Sequence, residues 1–268
     1  MQGLQHKEGH MAHQPYNDVR LQTIPQQELN SLATKRIFFG HQSVGQNIVD
    51  GLIDILRVHP TIKLNIGEGS RPEDLRTPGF FHAEIGKNFD PISKIDHFGK
   101  ILESGIGQRA DIALFKLCYV DIIQQTDIQA LFDYYEKALT FLMTKFPDLR
   151  IVSVTVPLTT IPSGVVPVLK RMLGRGSGDR ADNVRRNLFN QMLQKRFGES
   201  VFDLAGSEAT VSEDKKAIFT KDQAPFYFLN RAYTDDGGHL NLLGRQAVAS
   251  DLLRFLIEVS DKTAVRHS

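Results

Sequence analysis

Apolar runs of strand length alternate along this chain with segments whose apolar residues recur at helical spacing, and no other feature constrains the fold as strongly. Lys35 to Phe39 is a short run of buried type, followed by Ile48, Leu52, Ile55 and Leu56 on one helix face. "TIKLNI" (61–66) alternates with period two, and a helix starting near Pro91 carries Ile92, Ile95, Phe98, Ile101 and Leu102 on one side. "DIALFKLCYV" (111–120) reads as the next strand, with Thr126 or Asp127 capping a helix that carries Leu131, Tyr135, Leu139 and Leu142. "LRIVSVTVP" (149–157) is dense in β-branched residues, and after it come a helix over 182–197, the short strand "SVFDLA" (200–205) and a last helix from about Gly244. That order predicts an α/β protein: a mainly parallel five-stranded sheet with helices on both faces, a three-layer α/β/α arrangement. Two stretches, 67–91 and 158–180, read as long irregular connections.

Open parallel sheets gather ligands outside the carboxyl ends of their strands. "KRIFFGHQSVGQNIVDGL" (35–52) places Ser43 at such an end, between Gly40 and Gly45, at the first turn of a helix. The unpaired N–H groups and dipole of that turn favour a developing oxyanion, with the Ser43 N–H among the donors. A serine needs a base, and the base needs an orienting acid. "YTDDGGHLNLLGRQAVA" (233–249) offers Asp236 and His239 three residues apart on one loop before the last helix. The bland alternative makes Ser43 a helix N-cap and His239 a surface histidine; Asp235 is the rival orienting acid. His41 either lines a pocket or solvates the turn. Lys116 either contacts an anionic substrate group or pairs with Asp121, and Cys118 reads as a packed, inert thiol.

In these two blocks and their order the chain resembles the SGNH or GDSL-type serine esterases and lipases, which have flavodoxin-like α/β/α folds. "FFGHQSVG" matches the family's nucleophile block at Ser43, and "DGGHLNLLG" its D-x-x-H block at Asp236 and His239. The resemblance covers about residues 35 to 258, and the first block suggests a subgroup carrying "GHQSVG". It implies a serine esterase with Ser43, His239 and Asp236 as triad, an acyl-enzyme intermediate, no metal and no organic cofactor. Gln42 stands where the family has aspartate. The oxyanion glycine of the second block is matched by Gly86 in "EIGKNFDP", whereas "KLCYVDI" lacks the asparagine of the third block and leaves Asn88 as its substitute. His41, Gln42, Lys116 and Asn241 are the residues expected around a substrate. The resemblance implies a short-acyl ester, with an O-acetylated saccharide as one substrate class. A fold-related module that binds an acylated glycan or small ligand without turnover is the alternative.

Composition narrows the rest. A net charge of +1 gives no global case for nucleic acid. No tract is long enough to span a bilayer, and a lone cysteine excludes an internal disulfide framework and a multi-cysteine zinc site. "GRGSGD" (174–179) lacks the Lys-Ser/Thr ending of a P-loop, which leaves a flexible loop, a lid over the site in its functional form. Lys170, Arg171 and Arg175 before it either favour an anionic substrate or form a solvated face. The expected organisation is a polar tail over 1–20, one domain over 21–260 and a short tail over 261–268. The tail's His6, His10 and His13 have metal-binding spacing only if helical, which Gly9 and Pro15 oppose. The chain as written reads as cytoplasmic, or as exported if a signal has been removed; its oligomeric state is open.

Overall fold

The structure, a computed structural model, describes residues 24–161 and 180–264. The expected tail over 1–20 with its histidines, most of the 158–180 connection and "GRGSGD" lie outside the described residues.

Helix α1 (Gln26–Leu32) leads into β1 (Arg36–His41) and α2 (Val44–Val58). Then come β2 (Ile66–Glu68), β3 (Gly79–Glu84), α3 (Pro91–Ile101), β4 (Ile112–Phe115), α4 (Ile128–Lys145) and β5 (Arg150–Val154). The chain continues through α5 (Arg180–Phe197), β6 (Val201–Phe202) and the short α6 (Leu204–Glu208). Two small hairpins follow, β7 (Thr210–Ser212) with β8 (Lys215–Lys216) and β9 (Ile218–Lys221) with β10 (Ala224–Tyr227), before the final α7 (Leu242–Ala264). Asp127 caps α4 by accepting from the Ala130 N–H at 3.1 Å, which decides between the two capping candidates. The last helix runs on to Ala264, past the boundary at 260.

The central sheet has six strands in the order β2-β3-β1-β4-β5-β6, every pair parallel. Without the edge strand β2 this is the flavodoxin-like order, with its switch point at β1 and β4. The count of five is corrected to six because β3, "GFFHAE", lies inside the stretch taken as irregular. Its first four residues are all buried, so it shows no alternation, and Pro78 before it and Gly79 at its first position disguise its start. Conversely, only Ile66 of "TIKLNI" is in a strand.

Alternation along the strands separates two cores. Ile37 and Phe39 of β1, Ile112 and Leu114 of β4, and Val152 and Val154 of β5 pack with α2 and α7. Phe38, Ala113, Phe115 and Ile151 turn to the other face, against Phe98 of α3, Tyr135 and Leu139 of α4 and Phe189 of α5. Three layers result because both faces of each central strand are apolar.

The α2–α7 contact is close. A Cβ on Gly51 of α2 would lie 2.2 Å from the Arg245 carbonyl oxygen of α7. Arg245 Nε also reaches Asp54 Oδ2 at 2.7 Å, and the Asn47 side chain accepts from the Leu240 N–H at 3.1 Å. Gly51→Ala must push two backbones apart. Overpacking of this kind costs about 1–3 kcal/mol, so thermal denaturation of the variant should show a melting temperature lower by several degrees.

Candidate active site

β1 ends at His41, and the turn into α2 holds Ser43 at φ 52° and ψ −110°, a region that a non-glycine residue occupies only under strain. Gly45 is required here: a Cβ on it would come 2.2 Å from His41 Cβ. The Ser43 side chain makes no capping bond to its helix. Its Oγ lies instead 2.6 Å from His239 Nε2. The Gly45 and Gln46 amides bond back to the Gln42 and Ser43 carbonyls, which leaves the Ser43 and Val44 amides at the open end of the helix.

His239 reaches Ser43 from the loop before α7, where Gly237 at φ +94° and Gly238 allow a tight turn. Its Nδ1 is 2.6 Å from Asp236 Oδ2. The other oxygen, Oδ1, accepts from the Gly238 N–H at 2.9 Å and the His239 N–H at 2.8 Å. A carboxylate facing Nδ1 places the imidazole proton there and leaves Nε2 as an acceptor for the serine hydroxyl. Burial pushes the Asp236 carboxyl up, but the bond to the His239 ring and the two backbone N–H groups outweigh it and hold the group at about 2. Asp235, the rival acid, takes a bond from Asn241 Nδ2 at 3.2 Å instead.

Other expected residues have different neighbours. Gln42 Nε2 donates to the Gly86 carbonyl at 2.8 Å, tying the second-block loop to the serine turn. The Gly86 N–H, expected to face an oxyanion, donates to His97 Nδ1 at 3.0 Å and is engaged there. Asn88 accepts from Lys94 Nζ through Oδ1 at 3.0 Å. His41 is 1% exposed and shares a 3.0 Å hydrogen bond between its Nε2 and His82 Nδ1, so it packs beneath the turn and lines no open pocket. Burial, then the charge of Lys116 and the nearby His82, lower its pKa to about 3. Lys116 is wholly buried, with Nζ 3.4 Å from Cys118 Sγ, which removes it from contact with an arriving substrate. Its expected partner Asp121 is taken by Lys94 at 2.5 Å. Asn241 is spent on the chain itself: its Oδ1 accepts from the Gly244 N–H at 3.1 Å, at the start of α7. Cys118 is a buried free thiol.

Sequence reasoning missed several neighbours of the site. The Tyr119 ring stands edge-on to His239 at 5.9 Å, with the Arg186 guanidinium 5.8 Å from its centroid. Asn47 fastens the histidine loop to α2, and Thr234 Oγ1 accepts from the Gly237 N–H at 3.0 Å. Tyr119 belongs to the "KLCYVD" stretch, which departs from the motif of the family that the sequence resembles, and that departure is the available signal. Among the described residues no group of three or more His, Cys, Asp or Glu side chains could hold a metal ion. No helix among them is long and apolar enough to cross a membrane.

No protein-family model and no curated protein sequence matches the chain. Solved structures do. One from Parabacteroides merdae, named as GDSL-lipase-like, aligns with TM-score 0.50 and 13% identity over 85% of this chain and 96% of its own. One from Streptococcus pneumonia, whose name refers to platelet activating factor, gives TM-score 0.49 and 13% identity over 86% and 90%. The periplasmic domain of a lipopolysaccharide acetyltransferase from Salmonella ser. Paratyphi A gives 0.45 and 11% over 80% of each chain. At these identities the likeness concerns the fold alone, a parallel sheet with helices on both faces that the chain shares with the structure named as GDSL-lipase-like.

Glu208, at the end of α6, is fully buried: its Oε2 accepts from the Leu158 N–H at 2.7 Å while Oε1 has no partner. Burial pushes its carboxyl from the ordinary 4.5 up to about 8, against the pull of the Leu158 bond and of Lys116 and Arg186. A group raised on folding contributes stability that is fully present below its unfolded pKa and lost as pH rises through the folded one. His41, depressed on folding, contributes stability present above 6.5 and lost as pH falls through about 3. Between pH 4.5 and 6.5 the two slopes oppose and cancel, so the melting temperature should fall chiefly between about pH 6.5 and 8. Glu208→Gln should remove that fall and leave a melting temperature that rises with pH up to about 6.5, as read by differential scanning fluorimetry across pH.

Proposed function

We propose that this chain is a serine-dependent hydrolase of carboxylic esters. The observation that carries the reading is the unbroken hydrogen-bonded chain from Ser43 through His239 to Asp236, with 2.6 Å at each link. Ser43 Oγ attacks the acyl carbon while His239 Nε2 takes its proton. Asp236 stabilises the imidazolium that forms and keeps the ring in one tautomer and orientation. The negative oxygen develops near the start of α2, where the Ser43 N–H and the helix dipole oppose its charge, with the Asn88 side chain as second donor. His239 then returns the proton to the leaving alcohol, and water activated by the same base cleaves the acyl-enzyme. Every proton transfer uses one imidazole and no step needs a metal or an organic cofactor.

A short acyl group is the substrate class carried over from the family resemblance, with O-acetylated saccharides as one source. The non-hydrolysing alternative, a module that binds an acylated ligand, draws support from one contact: the Gly86 N–H is held by His97 and not free for catalysis. Lowered turnover does not require loss of the nucleophile, and the strained φ of Ser43 has no purpose in a plain binding loop.

The reading is tested with chromogenic p-nitrophenyl esters of increasing acyl length. The wild-type chain should hydrolyse the shorter ones, with a rate that rises as the base loses its proton. Ser43→Ala should remove the activity to background. Asp236→Asn should lower kcat by up to about 10⁴-fold with a smaller change in KM, because an amide in that place favours the wrong tautomer. Equal rates in wild type and Ser43→Ala would exclude this mechanism.

A further inference from the structure

The third-block stretch "KLCYVD" lacks an asparagine, yet its Asp121 is among the most heavily used side chains in the molecule. The carboxylate side chain is fully buried. Oδ2 accepts from the Cys118 N–H at 2.6 Å within its own turn and lies 2.5 Å from Lys94 Nζ. Oδ1 reaches across to the Phe89 N–H at 2.9 Å. Phe89 stands at φ 66°, so this bond holds a strained backbone in the loop that follows β3.

Lys94, in the first turn of α3, is as deeply buried as its partner, and it also donates to Asn88 Oδ1 at 3.0 Å. An ammonium has donors and no acceptor. The amide oxygen of Asn88 is therefore the atom that must face Lys94, and the NH₂ end is turned away with two donors to give. Pull of the ammonium on that oxygen also polarises the amide and strengthens its N–H groups as donors. The same loop is fastened to the nucleophile turn, because Gln42, adjacent to Ser43, donates to the Gly86 carbonyl. The Cys118 thiol contacts the Gln42 carbonyl at 3.7 Å. Loop, ion pair and nucleophile turn are one connected assembly.

Burying an ion pair is not an efficient route to stability, since desolvation offsets much of the attraction and apolar replacements are often as stable. What such a pair does supply is a fixed direction. We infer that Lys94 and Asp121 are positioning residues that hold Asn88 as the amide donor to the oxyanion formed on attack by Ser43. The donor missing from the third block is thus replaced in space by a residue of the second-block loop, oriented by the third block's own aspartate. This inference rests on the serine-hydrolase reading.

The test is a double-mutant cycle on the full chain with p-nitrophenyl acetate, measuring kcat and KM separately. Asn88→Ala should lower kcat by about 100-fold or more, as loss of one oxyanion donor does, with KM changed little. Lys94→Met should lower kcat in the same way, and the double variant should be no worse than Asn88→Ala alone, because both remove the same donor. A purely structural lysine would instead give losses that multiply. Asn88→Asp separates folding from function: it gives Lys94 an ionic partner and so keeps the melting temperature, but replaces the donor by an acceptor and should lower kcat at least as far as alanine. Should Lys94→Met fail to fold, Asp121→Asn takes its place in the cycle, with the same loss of kcat and the same absence of a further loss when combined with Asn88→Ala expected. Wild-type kcat in Asn88→Ala, or multiplying losses in the cycle, would overturn the inference while Ser43→Ala remains inactive. Retained rate in Ser43→Ala would instead overturn the hydrolase reading, and this inference with it.

Discussion

Ser43 and His239 are 196 residues apart in the chain, and what makes their contact a fixed distance is the packing of α2 on α7. The serine stands at the N-terminal end of the first helix and the histidine three residues before the second. Because Gly51 has no side chain, the two backbones meet there, and the ion pair of Arg245 with Asp54 and the bond of Asn47 to the Leu240 N–H prevent sliding. Holding Ser43 in its unfavourable conformation costs about 1–3 kcal/mol. Five apolar residues of α2, Val44, Ile48, Val49, Leu52 and Ile55, lie in the core beneath it. Each contributes about 1.5–3 kcal/mol on burial, so the strain is small beside what anchors the helix.

The parallel sheet explains why the remaining parts arrive at the same edge. The Ser43 turn follows β1, the Gly86–Phe89 loop follows β3, and the Lys116–Asp121 turn follows β4, three neighbouring strands that all point the same way. Residues from separate stretches of sequence thereby become neighbours without any long excursion of the chain. The polar groups buried there are held by one another: Asp121 gathers Cys118, Phe89 and Lys94, and Lys94 gathers Asn88. Low dielectric around such a set makes each bond directional and costly to break.

Much of this was legible in the sequence, and the failures have physical causes. The helices α2, α3, α4 and α7 follow from apolar spacing, and β1 and β5 from short apolar runs. β3 is hidden because a strand buried on both faces shows no alternation, and Pro78 before it and Gly79 at its start look like loop. The Asp236 and His239 pair was legible because three residues on one loop suffice to join them. Neither role open to Lys116 is met: its side chain is buried away from substrate, and Asp121 is held by Lys94 of α3, a neighbour in space that sequence distance hides. Gly86 was assigned from a motif position. Backbone direction decides where its N–H points, and one motif match says nothing about that.

The central claim is that Ser43 is a nucleophile activated by its histidine neighbour. The most direct measurement is the intact mass of the full chain after reaction with a p-nitrophenyl phosphonate, followed by mapping of the modified peptide. A serine activated as described should take up one phosphonyl group per chain, located on Ser43, with labelling that slows as the solution is acidified and the base becomes protonated. No adduct, or an adduct on another residue with Ser43 unmodified, would contradict the account.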